Sequence, residues 1–174
     1  MRRTESAAAI VAKRLAEAGC RHAFGIPGGE VISMVDALES EGVAFALAKH
    51  ENAAGFMAEG TWHMTGAPGV MVATLGPGVA NGVNVIANAW QDRVPLIVLT
   101  GCVEAAEAVT YTHQVFDHQE LLRPITKASF RLADGAVGEI VEKALAIAMG
   151  RTGDGRPGPV HIDLPIALTR SQQP

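Results

Sequence analysis

Two apolar runs in the middle of the chain do not alternate. Val70-Met71-Val72-Ala73 and Leu96-Ile97-Val98-Leu99 are apolar at every position. Successive side chains of a strand point to opposite faces, so such runs must be covered on both sides, as central strands of a parallel sheet are. Elsewhere the apolar residues recur at helical spacing: Ala8, Val11, Ala12 and Leu15 over 5–18, with Gly19 as a stop, and Val31, Met34, Val35 and Leu38 over 30–40. The same reading predicts helices over 52–65, 80–91 and 136–149 and a short one over 115–122. It predicts strands over 22–26, 43–49, 69–74, 95–100, 125–132 and 160–164. Residues 102–111 read as irregular and Ala-rich, 151–158 as a flexible loop and 169–174 as a polar tail. Strands alternating with helices make an α/β fold, a three-layer α/β/α sandwich around a six-stranded parallel sheet, in one domain over 1–168.

Composition narrows the classes. The chain has 174 residues, 48% hydrophobic and 18% charged, which suits one domain with a sizeable core and argues against disorder. A net charge of −4 offers no footprint for nucleic acid or an anionic membrane. No apolar run reaches membrane-spanning length. Arg2 and Arg3 open the chain, but Lys13, Arg14 and Glu17 follow where a secretory segment would be apolar. Cys20 and Cys102 lack metal-ligand spacing and read as reduced thiols of a cytoplasmic protein.

Ligand groups of such a sheet collect at the carboxyl ends of its strands. His50-Glu51 falls there, between the strand over 43–49 and the helix over 52–65. A carboxyl on a buried strand end has its charged form disfavoured, which raises its pKa and suits it to sharing a proton with a ring nitrogen. The pair alone equally allows Glu51 to be an ordinary first-turn acid, where negative charge is favoured. His50 reads as an imidazole filling space. Gly76-Pro77-Gly78 lets backbone approach a flat ring with no Cβ in the way; without a following Lys-Ser/Thr it is not a phosphate loop. Asn81 is expected as the N-cap of the next helix, and Glu30 as a first-turn helix acid. His113, Asp117 and His118 lack a convincing third ligand, so no metal site is assigned.

Taken in order, the landmarks carry a resemblance. They are Gly25-Ile26-Pro27-Gly28-Gly29, His50-Glu51 with Glu59-Gly60, Leu75-Gly76-Pro77-Gly78, Arg93-Val94-Pro95-Leu96 and Gly158-Pro159-Val160-His161-Ile162-Asp163-Leu164-Pro165. From about Thr4 to Ile166 the chain resembles the pyrimidine-binding (PYR) domain of thiamine diphosphate enzymes, most of all the acetolactate synthase large-subunit group. The resemblance implies that Glu51 hydrogen-bonds the aminopyrimidine of thiamine diphosphate and promotes the imino tautomer that deprotonates the thiazolium carbon. The cofactor then does the hard chemistry. It implies cofactor contacts from Pro27, Gly28, Gly29, Thr74, Gly76, Pro77, Gly78 and Asn81. Gln114, in His113-Gln114-Val115-Phe116-Asp117, matches a glutamine that reaches the active site in relatives, although His113 replaces the usual aromatic. The His-His pair of pyruvate decarboxylases is absent, and Gly29 stands where those enzymes carry an acid. Trp62-His63-Met64 replaces the usual Tyr-Ala-Arg.

Family members hold the diphosphate and Mg²⁺ in a second domain, through Gly-Asp-Gly and a later Asn-Asn. Gly153-Asp154-Gly155 imitates the first part, but no Asn follows it. The expectation is therefore half of an active site. A homodimer and a separate diphosphate-binding domain or subunit complete it, and the substrate is a 2-keto acid, decarboxylated and carboligated as in acetolactate synthase. Two alternatives stay open: the small subunit of a sulfopyruvate- or phosphonopyruvate-type decarboxylase, and a non-catalytic PYR-like dimerisation module.

Overall fold

A computed structural model describes residues 5–104, 107, 109, 110 and 113–173. Its main sheet has six parallel strands: β2 (His22–Ile26), β3 (Ala44–Leu47), β4 (Gly69–Ala73), β5 (Leu96–Cys102), β6 (Ala128–Arg131) and β7 (Val160–Pro165), in the order β3-β2-β4-β5-β7-β6. The expected α/β/α sandwich is the observed fold. β4 and β5 are buried along their whole length, as non-alternating runs require.

Each strand divides its side chains between two helical layers. Val70, Val72, Ile97, Leu99, Val160, Ile162 and Leu164 face α1 (Ala7–Glu17), α2 (Ile32–Ser40) and α7 (Val137–Ala148). Met71, Ala73, Leu96 and Val98 face α3 (Glu51–Thr65), α4 (Pro77–Asn81), α5 (Val83–Asp92) and α6 (His118–Leu122). β7 breaks the pattern. Its residues toward the second layer are His161 and Asp163, both buried, so a polar ladder replaces apolar packing there.

The chain reverses direction across the sheet between β2 and β4. Such a switch point leaves a crevice at the carboxyl ends of the strands, because the flanking loops run away from each other. The loops after β2, β3 and β4 all end at this edge.

Local chemistry explains where the elements depart from the expected bounds. Glu5 and Ser6 form a short strand, β1, instead of opening α1. Ser6 Oγ caps the helix by accepting the Ala9 amide at 3.1 Å. The residues expected as a polar tail fold back. Ile166–Arg170 is a helix, α8, and Gln172–Gln173 is a strand, β8, antiparallel to β1, with Gln173 buried. The helix expected over 80–91 is two, α4 and α5, divided at Gly82. Pro77 sets the start of α4, since its fixed φ and missing N–H suit the first helical position. The strand expected over 125–132 is shorter, because Arg123–Ile125 is a 3₁₀ turn. Of the Ala-rich stretch 102–111, Ala105, Ala106, Ala108 and Tyr111 lie outside the described residues, as do Met1 to Thr4, with Arg2 and Arg3.

Candidate functional site

Glu51 is the first residue of α3, immediately after the loop from β3, and is 6% exposed. Both expectations for it meet in one place: it is a first-turn acid, and it is buried at the strand-end crevice. His50 is exposed and is the N-cap of α3, its Nδ1 accepting the Asn52 amide at 3.1 Å. It caps the helix and fills no buried space.

The partner of Glu51 is Asn81, whose Nδ2 donates to Oε2 at 3.0 Å. This corrects the expected role of Asn81. It ends α4 and does not open a helix, so its side chain is free to reach across to α3. Among the described residues Oε1 takes no hydrogen bond. It lies 3.4 Å from the point a Cβ on Gly78 would occupy, and that point is also 2.8 Å from Thr74 Cγ2. Glycine at 78 keeps the space beside the carboxylate open.

Thr74 joins the two remaining loops. Its hydroxyl donates to Glu30 Oε2 at 2.7 Å. A Cβ on Gly28 would stand 2.4 Å from that hydroxyl and 2.5 Å from the Glu30 carboxylate. Glu30 is therefore not a first-turn acid: α2 begins at Ile32, and Glu30 reaches over the sheet edge to β4's loop. Pro27 and Gly28 are half-buried and Gly29 is exposed, on the rim.

Gly76 takes φ 64° and ψ −114°, a conformation only glycine holds without strain. A Cβ there would fall 2.0 Å from the Gln114 carbonyl oxygen. Gln114 itself has φ 59° and an exposed side chain. A non-glycine residue in this region is uncommon and gathers at functional positions. Gln114 is thus next to the glycine turn, while Pro77 is exposed at the start of α4.

The residues of the rejected metal reading part company. Asp117 caps α6 by accepting the Glu120 amide at 2.9 Å. His118 is buried, with Nδ1 2.8 Å from Asp163 Oδ1. Thr100 Oγ1 donates to the same oxygen at 2.7 Å, His161 Nε2 lies 2.7 Å from Thr100 Oγ1, and Ser129 Oγ lies 2.6 Å from His161 Nδ1. His118, His161 and Asp163 bring ligand-type atoms within 4.8 Å of one another. Each of those atoms already has a hydrogen-bond partner, so the cluster is complete as a network.

Burial works against the Asp163 charge, but hydrogen bonds from His118 and His161 outweigh it and hold the carboxyl far below the usual carboxylate range. A carboxyl whose folded pKa is depressed stabilises the fold above its unfolded value, about 3.9, and loses that contribution as pH falls toward the folded value. Asp163→Asn should therefore be less stable than the wild type near neutrality, and the deficit should shrink below about pH 4. Urea unfolding across the acid range measures it. A deficit that stays constant down to about pH 2 would remove Asp163 from the acid sensitivity of the fold.

Both thiols are buried and free. Burial pushes Cys20 and Cys102 up to about 12, so neither is a ready nucleophile at neutral pH. No helix among the described residues is long and apolar enough to cross a membrane.

Comparison with known proteins places the chain in a family. Residues 5–121 match the family described as thiamine pyrophosphate enzyme, N-terminal TPP binding domain. The chain is 38% identical over 162 residues to the acetolactate synthase isozyme 3 large subunit of Escherichia coli (strain K12), covering 92% of this chain and 28% of that protein. It is 41% identical over 162 residues to the acetolactate synthase large subunit of Lactococcus lactis, covering 92% and 28%. It is 39% identical over 159 residues to the probable acetolactate synthase large subunit of Methanocaldococcus jannaschii, covering 91% and 26%. The chain spans only about a quarter of the length of these relatives. A family match over most of the chain, on a sheet of this topology, decides its membership: the chain belongs to the thiamine pyrophosphate enzymes, in their N-terminal TPP-binding domain.

Proposed function

We infer that this chain forms the pyrimidine-binding half of a thiamine diphosphate site in an enzyme acting on 2-keto acids, by decarboxylation and carboligation of the acetolactate synthase type. The observation that carries this reading is the Glu51 carboxylate. It is buried at the switch-point crevice, tied through one oxygen to Asn81, with the other oxygen facing the gap that Gly78 leaves.

In this reading the gap takes a flat heteroaromatic ring. Pro27, Gly28, Gly29, Thr74, Gly76, Pro77 and Gly78 are then its walls, and the absence of a Cβ at 28 and 78, where one would collide with Thr74, supports the assignment. Glu51 would hold a proton at a ring nitrogen and return it, which a carboxyl can do and an amide cannot. Asn81 keeps Glu51 in one orientation during that exchange. Bound thiamine diphosphate supplies the capacity to stabilise negative charge on the former carbonyl carbon of the substrate. Gln114 is assigned to the substrate side, since its backbone lies against the glycine turn and its side chain is exposed.

The diphosphate and Mg²⁺ belong, in this reading, to a separate domain or chain. Gly153-Asp154-Gly155 precedes β7 and so lies at the amino end of the strands, opposite the crevice. Asp154 there is engaged by Lys127 and by the Arg156 amide. Pairing with a second copy is favoured by Phe56, Met57 and Trp90 on α3 and α5, each over 40% exposed. A cytoplasmic setting is part of this reading, with Cys20 and Cys102 buried and not paired with each other.

The test is calorimetric titration of the 174-residue chain with thiamine diphosphate and Mg²⁺. Weak or undetectable binding is expected, and micromolar affinity would overturn the half-site reading. Keto-acid turnover should arise only when a diphosphate-binding partner is supplied.

A further inference from the structure

His118 has no part in the chemistry above, yet it bridges two regions that the sequence keeps far apart. Its Nε2 accepts the Gly76 backbone N–H at 2.9 Å, and its Nδ1 lies 2.8 Å from Asp163 Oδ1. An Nε2 that accepts carries no proton, so the ring proton is on Nδ1 and donates to Asp163. The tautomer is set at both ends. Asp163 is an anchor of low freedom. It is in β7, which is paired on both sides, and Thr100 donates to the oxygen that His118 uses.

Gly76 is the hinge on which the site turns. It precedes Pro77 and Gly78, its carbonyl accepts the Ala80 amide at 3.1 Å, and α4 then ends in Asn81, the partner of Glu51. The amide of Gly76 is buried and its only side-chain acceptor among the described residues is His118. Without that acceptor a buried donor would be stranded, which favours turning the Gly76 peptide toward water.

We propose that His118 is a positioning residue: as an Asp163-oriented neutral imidazole it fixes the Gly76 amide, and through Gly76–Asn81 it holds the wall and the hydrogen-bond partner of Glu51 in place. This rests on the function inferred above for its catalytic consequence, but not for its structural one. The two can be separated by isosteric substitution. His118→Asn keeps a donor near the Nδ1 position for Asp163 and removes the acceptor for Gly76. His118→Gln places an amide oxygen near the Nε2 position and keeps that acceptor.

The first readout needs no cofactor. In the ¹⁵N-labelled chain a scalar coupling should connect the Gly76 nitrogen with His118 Nε2 across the hydrogen bond. Gly76 amide exchange should quicken about tenfold or more in His118→Asn, the scale of one hydrogen bond, and return to within about threefold of wild type in His118→Gln. Amides within β4 should stay protected in both variants. The second readout is turnover of the thiamine diphosphate-loaded enzyme. Here His118→Asn should lower kcat about tenfold, leave the keto-acid KM within about twofold, and be rescued by His118→Gln.

No coupling in the wild-type chain overturns the proposal, and this measurement stands even if His118→Asn fails to fold. So does an unchanged kcat in a folded His118→Asn, or a His118→Gln no better than it in either readout. A coupling and amide response as expected, in a chain where Glu51→Gln leaves turnover intact, would instead sink the thiamine diphosphate reading and leave the structural bridge standing.

Discussion

Glu51→Gln should abolish most of the chemistry and little of the fold. The amide is nearly the size of the carboxylate, and its oxygen can still accept from Asn81 Nδ2, so stability should change by no more than about 1 kcal/mol. The lost ability to take and return a proton should slow hydrogen–deuterium exchange at the thiazolium carbon by at least about a hundredfold in the loaded enzyme. Turnover should fall in parallel. An exchange rate equal to wild type would reduce Glu51 to a helix-terminus acid and remove the central support for the proposed function. Gln114, which meets the turn through its carbonyl and Cβ, gives the contrast: Gln114→Ala keeps both and should leave Asn81 and Glu51 undisturbed.

Gly76→Ala should do the reverse, damaging the fold and the site together. Alanine at φ 64° and ψ −114° is strained in any surroundings, and here its methyl would also stand 2.0 Å from the Gln114 carbonyl oxygen. A loss of at least about 2 kcal/mol is expected in urea unfolding. If the turn moves to relieve the clash, the Gly76 amide is drawn away from His118, and cofactor-dependent activity should fall along with stability. An alanine variant with wild-type stability and wild-type activity would mean that the turn does not adopt this conformation.

The sheet was legible because its central strands are buried on both faces. Val70 to Ala73 and Leu96 to Leu99 admit no exposed face and so no other reading at that length. Glu51 was legible as a position, from the change of pattern after the strand that precedes it. Its partner was not. Residues 80–91 read as one helix from their spacing, whereas Pro77 opens a short helix that ends at Asn81 and Gly82 divides it from the next. The bonds from Thr74 to Glu30 and from His118 to Asp163 join residues 44 and 45 positions apart, and no local period encodes them. Acidic and aromatic positions near a turn are as readily surface as site until the topology brings the loops to one edge. β8 escaped notice because two glutamines have no strand preference of their own. They pair because β1 is there to receive them and because the Gln173 side chain bridges Gly135 and Asp134.

That last pairing has a thermodynamic side. Glu5 lies opposite Gln173 and Ser6 opposite Gln172, so the described chain is nearly a closed ring, shut by a clasp of two residue pairs. A covalent closure there would act on the unfolded ensemble alone, since the folded backbone already brings the ends together. For a loop this long the chain-entropy argument gives roughly 5 kcal/mol. The crevice, built from the strand ends on β2, β3 and β4, would keep its geometry while the molecule around it became harder to unravel.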